Sequence, residues 1–96
     1  MARIKTHPGE VLREEFMEQL GIGVRPLSKA LGIPHTRILA VIQEQRAITA
    51  DTALRLSRYF DTTPEFWMNL QTAYDLSKVA HEHGDDIDRE VKTHAA

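Results

Sequence analysis

The 96-residue chain is long enough for one domain with a single modest hydrophobic core. Its apolar fraction of 42% is ordinary for a globular protein, and no apolar run approaches the ~18 residues that a membrane-spanning helix needs. The absence of cysteine excludes disulfides, thiol chemistry and cysteine-based zinc sites. No apolar stretch follows the basic N-terminal residues, so the pattern predicts no secretory signal, and we expect a cytoplasmic protein with no membrane contact.

The net charge of −2 is unevenly distributed along the chain. Residues 1–46 hold seven basic and five acidic side chains, whereas residues 47–96 hold five basic and nine acidic ones. The field at a nucleic-acid groove depends on the nearest charges, so a mildly basic first half is compatible with DNA binding. The total charge alone argues weakly against it.

The first three predicted helices are short and are separated by glycine and proline. The first helix opens at the HPGE segment of residues 7–10 and closes at Gly21. The second covers about residues 24–31 and ends at Gly32, a natural left-handed C-cap. The third starts near Pro34 and carries its apolar residues on one side.

Two further helices complete the predicted fold. The fourth is capped by Thr49 and runs to about Phe60, and the fifth begins with Thr63 as N-cap and Pro64 at its first position, continuing to near Val79. No segment alternates with the two-residue period of a strand for long enough. The sequence therefore predicts an all-α fold of five helices.

The C-terminal segment looks unlike the rest of the chain. Residues 81–96 are polar, with five acids and two bases, so we expect a frayed tail behind a domain formed by residues 1–80. His81 and His83 precede two aspartates, but residues two apart do not share a helix face, and we expect no metal site there.

Residues 24–43 (VRPLSKALGIPHTRILAVIQ) have the spacing of a helix-turn-helix. Such a motif needs two short helices that cross steeply, a turn too tight for a side chain, and apolar contacts at fixed offsets from that turn. Seven positions obey this pattern: Leu27, Ser28, Leu31, Gly32, Ile33, Ile38 and Val41. The motif predicts that the chain binds duplex DNA.

The third helix would then enter the major groove with its N-terminal end toward the bases. Its core side takes Ile38, Val41 and Ile42. We expect Thr36 and Gln43 to contact base edges, and Arg25 and Arg46 to contact phosphates. The full predicted DNA-binding set is Arg25, His35, Thr36, Arg37, Leu39, Ala40, Gln43 and Arg46.

Three segments around the motif carry a more specific resemblance: HPGEVLREEF at residues 7–16, ITADTALRLSRYF at 48–60 and TTPEFWMNLQTAYDL at 62–76. Together they resemble the HigA-type antitoxins, a subfamily of the XRE-like helix-turn-helix proteins, over about residues 6–78. The resemblance implies a five-helix, lambda-repressor-like domain that forms a homodimer and binds a palindrome in its own promoter. It also implies a protein partner, a small RelE-like toxin that cleaves messenger RNA.

The sequence departs from that family's pattern beside the recognition helix. The family favours Asn-Gly-Lys-Arg where this chain has Gln43-Glu44-Gln45-Arg46, so a glycine and a cation are lost and an anion is gained. Leu39 also replaces a position that is commonly polar. These changes concern operator affinity and operator sequence rather than the fold.

Two other surfaces have predicted roles. Glu10, Glu14 and Glu18 stand four residues apart and would form an acidic stripe on the first helix, either a solvated face or a docking surface for a basic toxin. The fifth helix is apolar over more than the ~100° that a single core contact needs, which suggests a dimer seam, with a wider internal core as the alternative. The predicted seam residues are Phe66, Trp67, Leu70 and Tyr74.

Three functional hypotheses are compatible with these sequence features. The leading one is an antitoxin that represses its own operon and neutralises a toxin. The second is a stand-alone transcriptional regulator of the same fold, and the third is a protein-interaction module whose DNA-binding face has decayed. The sequence contains no Ser/His/Asp set, phosphate loop or paired-carboxylate motif, so we expect neither an enzyme nor a cofactor.

Overall fold

The computed structural model describes residues 3–95, which fold into five helices. Met1, Ala2 and Ala96, at the ends of the predicted domain and tail, lie outside the described residues. Helix α1 spans residues 8–20 in three consecutive segments, and α2 to α5 follow as Val24–Leu31, His35–Ile42, Ala50–Phe60 and Pro64–Glu90. The predicted all-α, five-helix fold is confirmed.

Helix α1 contains a wide turn that its sequence did not predict. Regular helix over Pro8–Val11 passes into a π-helical segment, Leu12–Met17, and returns to regular helix over Glu18–Leu20. In the π-helical segment the backbone bonds span five residues, as in the bond from the N–H of Glu18 to the carbonyl of Arg13. This turn changes the angular spacing of the side chains along the helix.

The helix-turn-helix consists of α2, the turn at Gly32 and α3, which pack against each other. Gly32 has φ of 71°, a left-handed conformation that costs a side-chain-bearing residue more than glycine. The hydroxyl of Ser28 donates to the carbonyl of Ile33, which ties the end of α2 to the turn. The Ser28 side chain therefore helps to fix the turn between α2 and α3.

The core is assembled from all five helices and the loop before α4. Its largest fully buried side chain is Trp67, which has no exposed area and whose indole Nε1 donates to Thr62 Oγ1 at 2.9 Å. Phe16 packs against this indole with ring centroids 5.0 Å apart. The other members of this core cluster are Leu12, Met17, Leu27, Leu31, Ile33, Ile38, Val41, Ile48, Ala53 and Leu56.

The burial of Trp67 corrects the predicted dimer seam. A side chain with no exposed area cannot contact a second protomer, so Trp67 belongs to the internal core. Leu70 and Tyr74 are half-buried, and Phe66 is 38% exposed. The excess apolar surface of α5 is thus used partly inside the domain, in agreement with the alternative interpretation.

The predicted end of the fifth helix was also wrong. Helix α5 continues past Val79 to Glu90, so residues 81–90 are helical rather than frayed. Extending an existing helix avoids the unfavourable nucleation step, and the low helix propensity of Gly84 does not cancel this advantage. Asp86 also pairs with Arg89 one turn later, which stabilises the extension. The extension explains the molecule's elongated dimensions of 54 × 23 × 21 Å.

Across residues 3–95, no helix is long and apolar enough to cross a membrane.

Candidate nucleic-acid interface

Helix α3 divides cleanly into a core side and an outer side. Ile38 and Val41 are buried, and Ile42 packs against the core. Thr36, Leu39 and Gln43 are exposed, whereas His35 and Ala40 are half-buried. The structure therefore brings the predicted base-contacting residues together along one side of the recognition helix.

The arginines of the predicted DNA-binding set fall into two groups. Arg25 lies in the first turn of α2 and Arg46 in the loop after α3, and both are exposed. Neither forms an ion pair with any of residues 3–95, so their guanidinium groups face solvent. Arg37 differs, because its side chain is only 30% exposed and its Nη1 lies 3.6 Å from Asp51 Oδ2 on α4.

Arg55 makes a contact that the sequence did not predict. Its Nη1 donates to the carbonyl of Leu31 at 2.8 Å, and its Nε donates to Asp51 Oδ2 at 3.0 Å. The four-residue spacing of Asp51 and Arg55 on a helix indicates an ion pair. No sequence signal indicates the bond from α4 to the turn of the helix-turn-helix, because that bond depends on tertiary packing.

The HPGE segment fixes α1 against the end of the recognition helix. A Cβ on Gly9 would lie 1.8 Å from the carbonyl oxygen of Val41, so only glycine permits this approach. His7 is the N-cap of α1, and its Nδ1 accepts the N–H of Gly9 at 2.8 Å. The motif thus helps to position α3, and its glycine is explained by packing.

His7 is buried edge-on against Tyr74, with ring centroids 4.7 Å apart. Burial lowers the pKa of His7 below its usual value of 6.5, an effect that the nearby carboxylates of Glu44 and Asp75 oppose. A neutral imidazole keeps Nδ1 free to accept the bond that caps α1.

Helix α3 ends in a Schellman motif with an unusual residue at its centre. The N–H of Gln45 bonds to the carbonyl of Ala40 at 2.9 Å, and the N–H of Glu44 bonds to that of Val41 at 2.9 Å. Glu44 therefore adopts φ of 62°. Among the described residues, Asp61 at the end of α4 is the one other non-glycine with positive φ.

Two of the three acidic residues predicted to meet a toxin line the same groove. Glu10 and Glu14 line a surface groove of about 390 Å³ together with Glu15 and Leu70, whereas Glu18 lies outside this lining.

Residues 14–67, more than half of the chain, match the family described as Helix-turn-helix. The chain is 51% identical over 81 residues to virulence-associated protein I of Dichelobacter nodosus, covering 84% of this chain and 74% of that protein. A structure of Pseudomonas aeruginosa antitoxin HigA with the higBA promoter is 41% identical, with a TM-score of 0.92 over 97% of this chain and 100% of the other. The chain belongs to the HigA-type antitoxins of the helix-turn-helix family.

A second member of this family has a still higher structural similarity. Antitoxin GraA in complex with its operator is 44% identical to this chain and superposes with a TM-score of 0.94 over 100% of this chain and 97% of the other. As a HigA-type helix-turn-helix protein, the chain binds DNA rather than catalysing a reaction. The sequence resemblance is thereby confirmed.

Glu44 departs from the family pattern at a position where the backbone conformation favours glycine. It stands where the family pattern favours glycine, and the backbone there is left-handed. A left-handed residue with a Cβ is strained by about 1–2 kcal/mol, so the departure has an energetic cost within the loop that follows α3.

Proposed function

We propose that the chain binds a palindromic operator in the promoter of its own operon, represses that operon and neutralises the toxin encoded with it. The observation that carries this proposal is the exposed outer side of α3, where Thr36, Leu39 and Gln43 stand free of the core. Two relatives of the same fold are described with an operator or a promoter, which supports the same role here. A protein with this role acts in the cytoplasm.

Base recognition is assigned to residues on α3 and phosphate contacts to residues beside it. Thr36 offers a hydroxyl to base edges and a methyl group to thymine, and Gln43 matches the donor and acceptor pair of adenine. His35, Leu39 and Ala40 complete the surface that faces the groove. Arg25 and Arg46 provide the exposed cations that hold the helix against the backbone.

Mutation separates the two kinds of contact. Thr36→Ala and Gln43→Ala should each reduce discrimination between sequences by on the order of 1–3 kcal/mol where they remove a good contact with a base. Arg25→Ala should instead weaken all duplexes alike and reduce the salt slope by roughly one unit. Fluorescence anisotropy against operator and scrambled duplexes measures both effects, and identical behaviour of the three variants would contradict the assignment.

We also propose that the protein is a homodimer formed through α5. The predicted seam residues Phe66, Leu70 and Tyr74 keep part of their surface, but they lie on the side of α5 that faces α1, where Phe66 packs against Phe16 and Leu70 lines the acidic groove. Further along the helix, Leu76 is 67%, Val79 45% and Ile87 43% exposed. The helical period puts these last three on one face, opposite Trp67, and such a row is typical of a helix-to-helix contact.

Sedimentation velocity tests this seam. Leu76→Glu should give a folded monomer at tens of micromolar, because it places a charge within the apolar row. His81→Glu adds the same charge on another side of the same helix and should leave the dimer intact. A wild-type monomer at this concentration, or dissociation by both variants, would contradict the seam.

Toxin capture is assigned to the acidic groove on α1. A basic RNA-cleaving protein would be attracted there and repelled from the cations beside α3, so DNA and toxin can be held together. Replacing Glu14 and Glu15 with Lys should slow toxin association and increase growth inhibition on co-expression, with operator binding retained. Replacing Glu82 and Glu90 with Lys makes the same charge change on α5 and serves as the control. Equal toxin association rates for the two double variants would contradict a role of the acidic groove in toxin capture.

A further inference from the structure

One carboxylate on α4 pairs with two arginines that contact the DNA-binding motif. Asp51 lies in the first turn of α4, and its Oδ2 is 3.0 Å from Nε of Arg55 and 3.6 Å from Nη1 of Arg37. Arg37 belongs to the recognition helix, whereas Arg55 reaches the turn between α2 and α3. Asp51 therefore links α4 directly to α3, and its partner Arg55 on the same helix links α4 to the turn.

Arg55 closes the carboxyl end of α2. Its Nη1 donates to the carbonyl of Leu31 at 2.8 Å and approaches that of Gly32 at 3.5 Å. The last carbonyls of a helix lack intrahelical partners and carry partial negative charge, so a guanidinium group is well suited to this position. The bond fixes the turn that sets the orientation of α3 relative to α2.

The Arg37 side chain lies against the protein surface and is only 30% exposed. Its Nε is buried and has no hydrogen-bond partner among residues 3–95, and its side chain lies beside Leu31, Ile33 and Thr52. The Asp51 carboxylate is the one acidic group among these residues within ion-pairing distance. This position is in contrast to Arg25 and Arg46, which are exposed.

We infer that Asp51 and Arg55 are positioning residues for operator recognition: Asp51 keeps Arg37 away from phosphates, and Arg55 holds the turn that orients α3. This inference rests on the proposed operator binding and changes the role expected for Arg37. A cation that is free to reach phosphate adds affinity for every duplex and no discrimination. Its retention by Asp51 lowers non-specific binding and so raises the ratio between operator and other DNA.

Loss of the carboxylate has a distinctive consequence. Asp51→Asn releases Arg37, so affinity for a scrambled duplex should rise by about tenfold per protomer at ~0.1 M salt, with a salt slope steeper by roughly 0.9. Affinity for the operator should rise less or fall, because the turn is less well fixed. A merely structural role would instead weaken both duplexes together.

The experiment measures affinity for the own-promoter duplex and for a scrambled duplex over a salt series. Five proteins are compared: wild type, Asp51→Asn, the double variant Asp51→Asn with Arg37→Met, Arg55→Lys and Asp61→Asn. Asp61→Asn makes the same charge change at the other end of α4 and is the matched control. We expect the double variant to lose the gain on scrambled DNA, and Arg55→Lys to reduce the operator-to-scrambled ratio without changing the salt slope. Thermal melting of each variant reports its folding.

The outcomes separate the two proposals. If wild type prefers its promoter but Asp51→Asn behaves as Asp61→Asn, or weakens both duplexes equally, the role of Asp51 is refuted and operator binding stands. If wild type binds both duplexes equally, operator recognition itself is refuted, and the positioning role with it.

Discussion

Glu44 offers the sharpest test of how the loop after α3 is built. It occupies a left-handed conformation with φ of 62° at the centre of a Schellman motif. Replacement by glycine removes the contact between Cβ and the backbone, a gain of about 1–2 kcal/mol, and adds conformational entropy to the unfolded chain at a cost of about 0.5–1 kcal/mol. From the midpoints of these two ranges, Glu44→Gly should stabilise the fold by roughly 0.75 kcal/mol.

The same change should tighten DNA binding. An anion ~10 Å from a phosphate repels it by roughly 0.4 kcal/mol in water, so its removal should strengthen binding by about twofold per protomer at low salt. Asp61→Gly is the matched control, because Asp61 also has positive φ but lies at the end of α4. It should give a smaller gain in stability, since aspartate tolerates this conformation better, and no change in DNA affinity.

Urea denaturation and anisotropy titration at pH 7.5 measure these two effects. The expected stabilisation corresponds to roughly 2–8 °C in melting temperature for a domain of this size. A Glu44→Gly variant that is no more stable than wild type would refute the strain at this position. Equal effects of Glu44→Gly and Asp61→Gly on DNA affinity would refute the electrostatic part of the reasoning.

Three further predictions concern the packing around the recognition helix. Gly9→Ala should destabilise the fold by about 1–3 kcal/mol or more in urea denaturation, because its Cβ would lie 1.8 Å from the Val41 oxygen, whereas Gly84→Ala, with no neighbour within 4 Å, should be neutral or stabilising. Because the pKa of His7 is lowered in the folded state, the unfolded chain binds the proton more readily than the folded chain does. The contribution of His7 to the free energy of unfolding should therefore be complete above pH ~6.5 and decrease as pH falls through the folded-state pKa. Trp67→Ala should cost about 3–5 kcal/mol of unfolding free energy, since the indole is fully buried.

Each of these has its own contradicting outcome. Equal stability of Gly9→Ala and Gly84→Ala would contradict the close approach of α1 to α3. His7→Asn keeps a capping oxygen without titrating, and should show less acid destabilisation than His83→Asn, which changes an exposed imidazole. Equal pH profiles for those two variants, or a Trp67→Ala variant that is as stable as wild type, would contradict the described burial.

The helices and the outer side of α3 were predictable because their signals are local. Proline, threonine and glycine at helix ends, and apolar spacing around Gly32, depend on neighbours within a few residues. The resemblance of the HPGE segment to its family was visible, but its physical reason, the approach of Gly9 to Val41, depends on residues 32 apart in the chain. Sequence spacing carries no information on such a contact.

The misplaced features share a cause in tertiary context. The apolar excess of α5 was correctly recognised, but only packing reveals that Trp67 faces the core while Leu76 faces outward. The π-helical turn in α1 had no signal in the sequence, and helix propagation carried α5 beyond Val79 into a polar segment. Arg37 was placed in the predicted DNA-binding set, and nothing in the sequence indicates that its Nη1 lies 3.6 Å from Asp51 Oδ2 on another helix.

The most direct test of operator recognition by α3 compares two duplexes at one salt concentration. The wild-type protein is titrated against its own promoter and against a scrambled duplex of equal length, beside a Thr36→Ala, Gln43→Ala double variant whose melting temperature is checked. We expect the wild type to prefer the promoter by at least about 10³-fold, and the double variant to lose most of that preference while keeping its affinity for the scrambled duplex. Equal wild-type affinity for both duplexes, or an unchanged preference in the double variant, would contradict recognition by this helix.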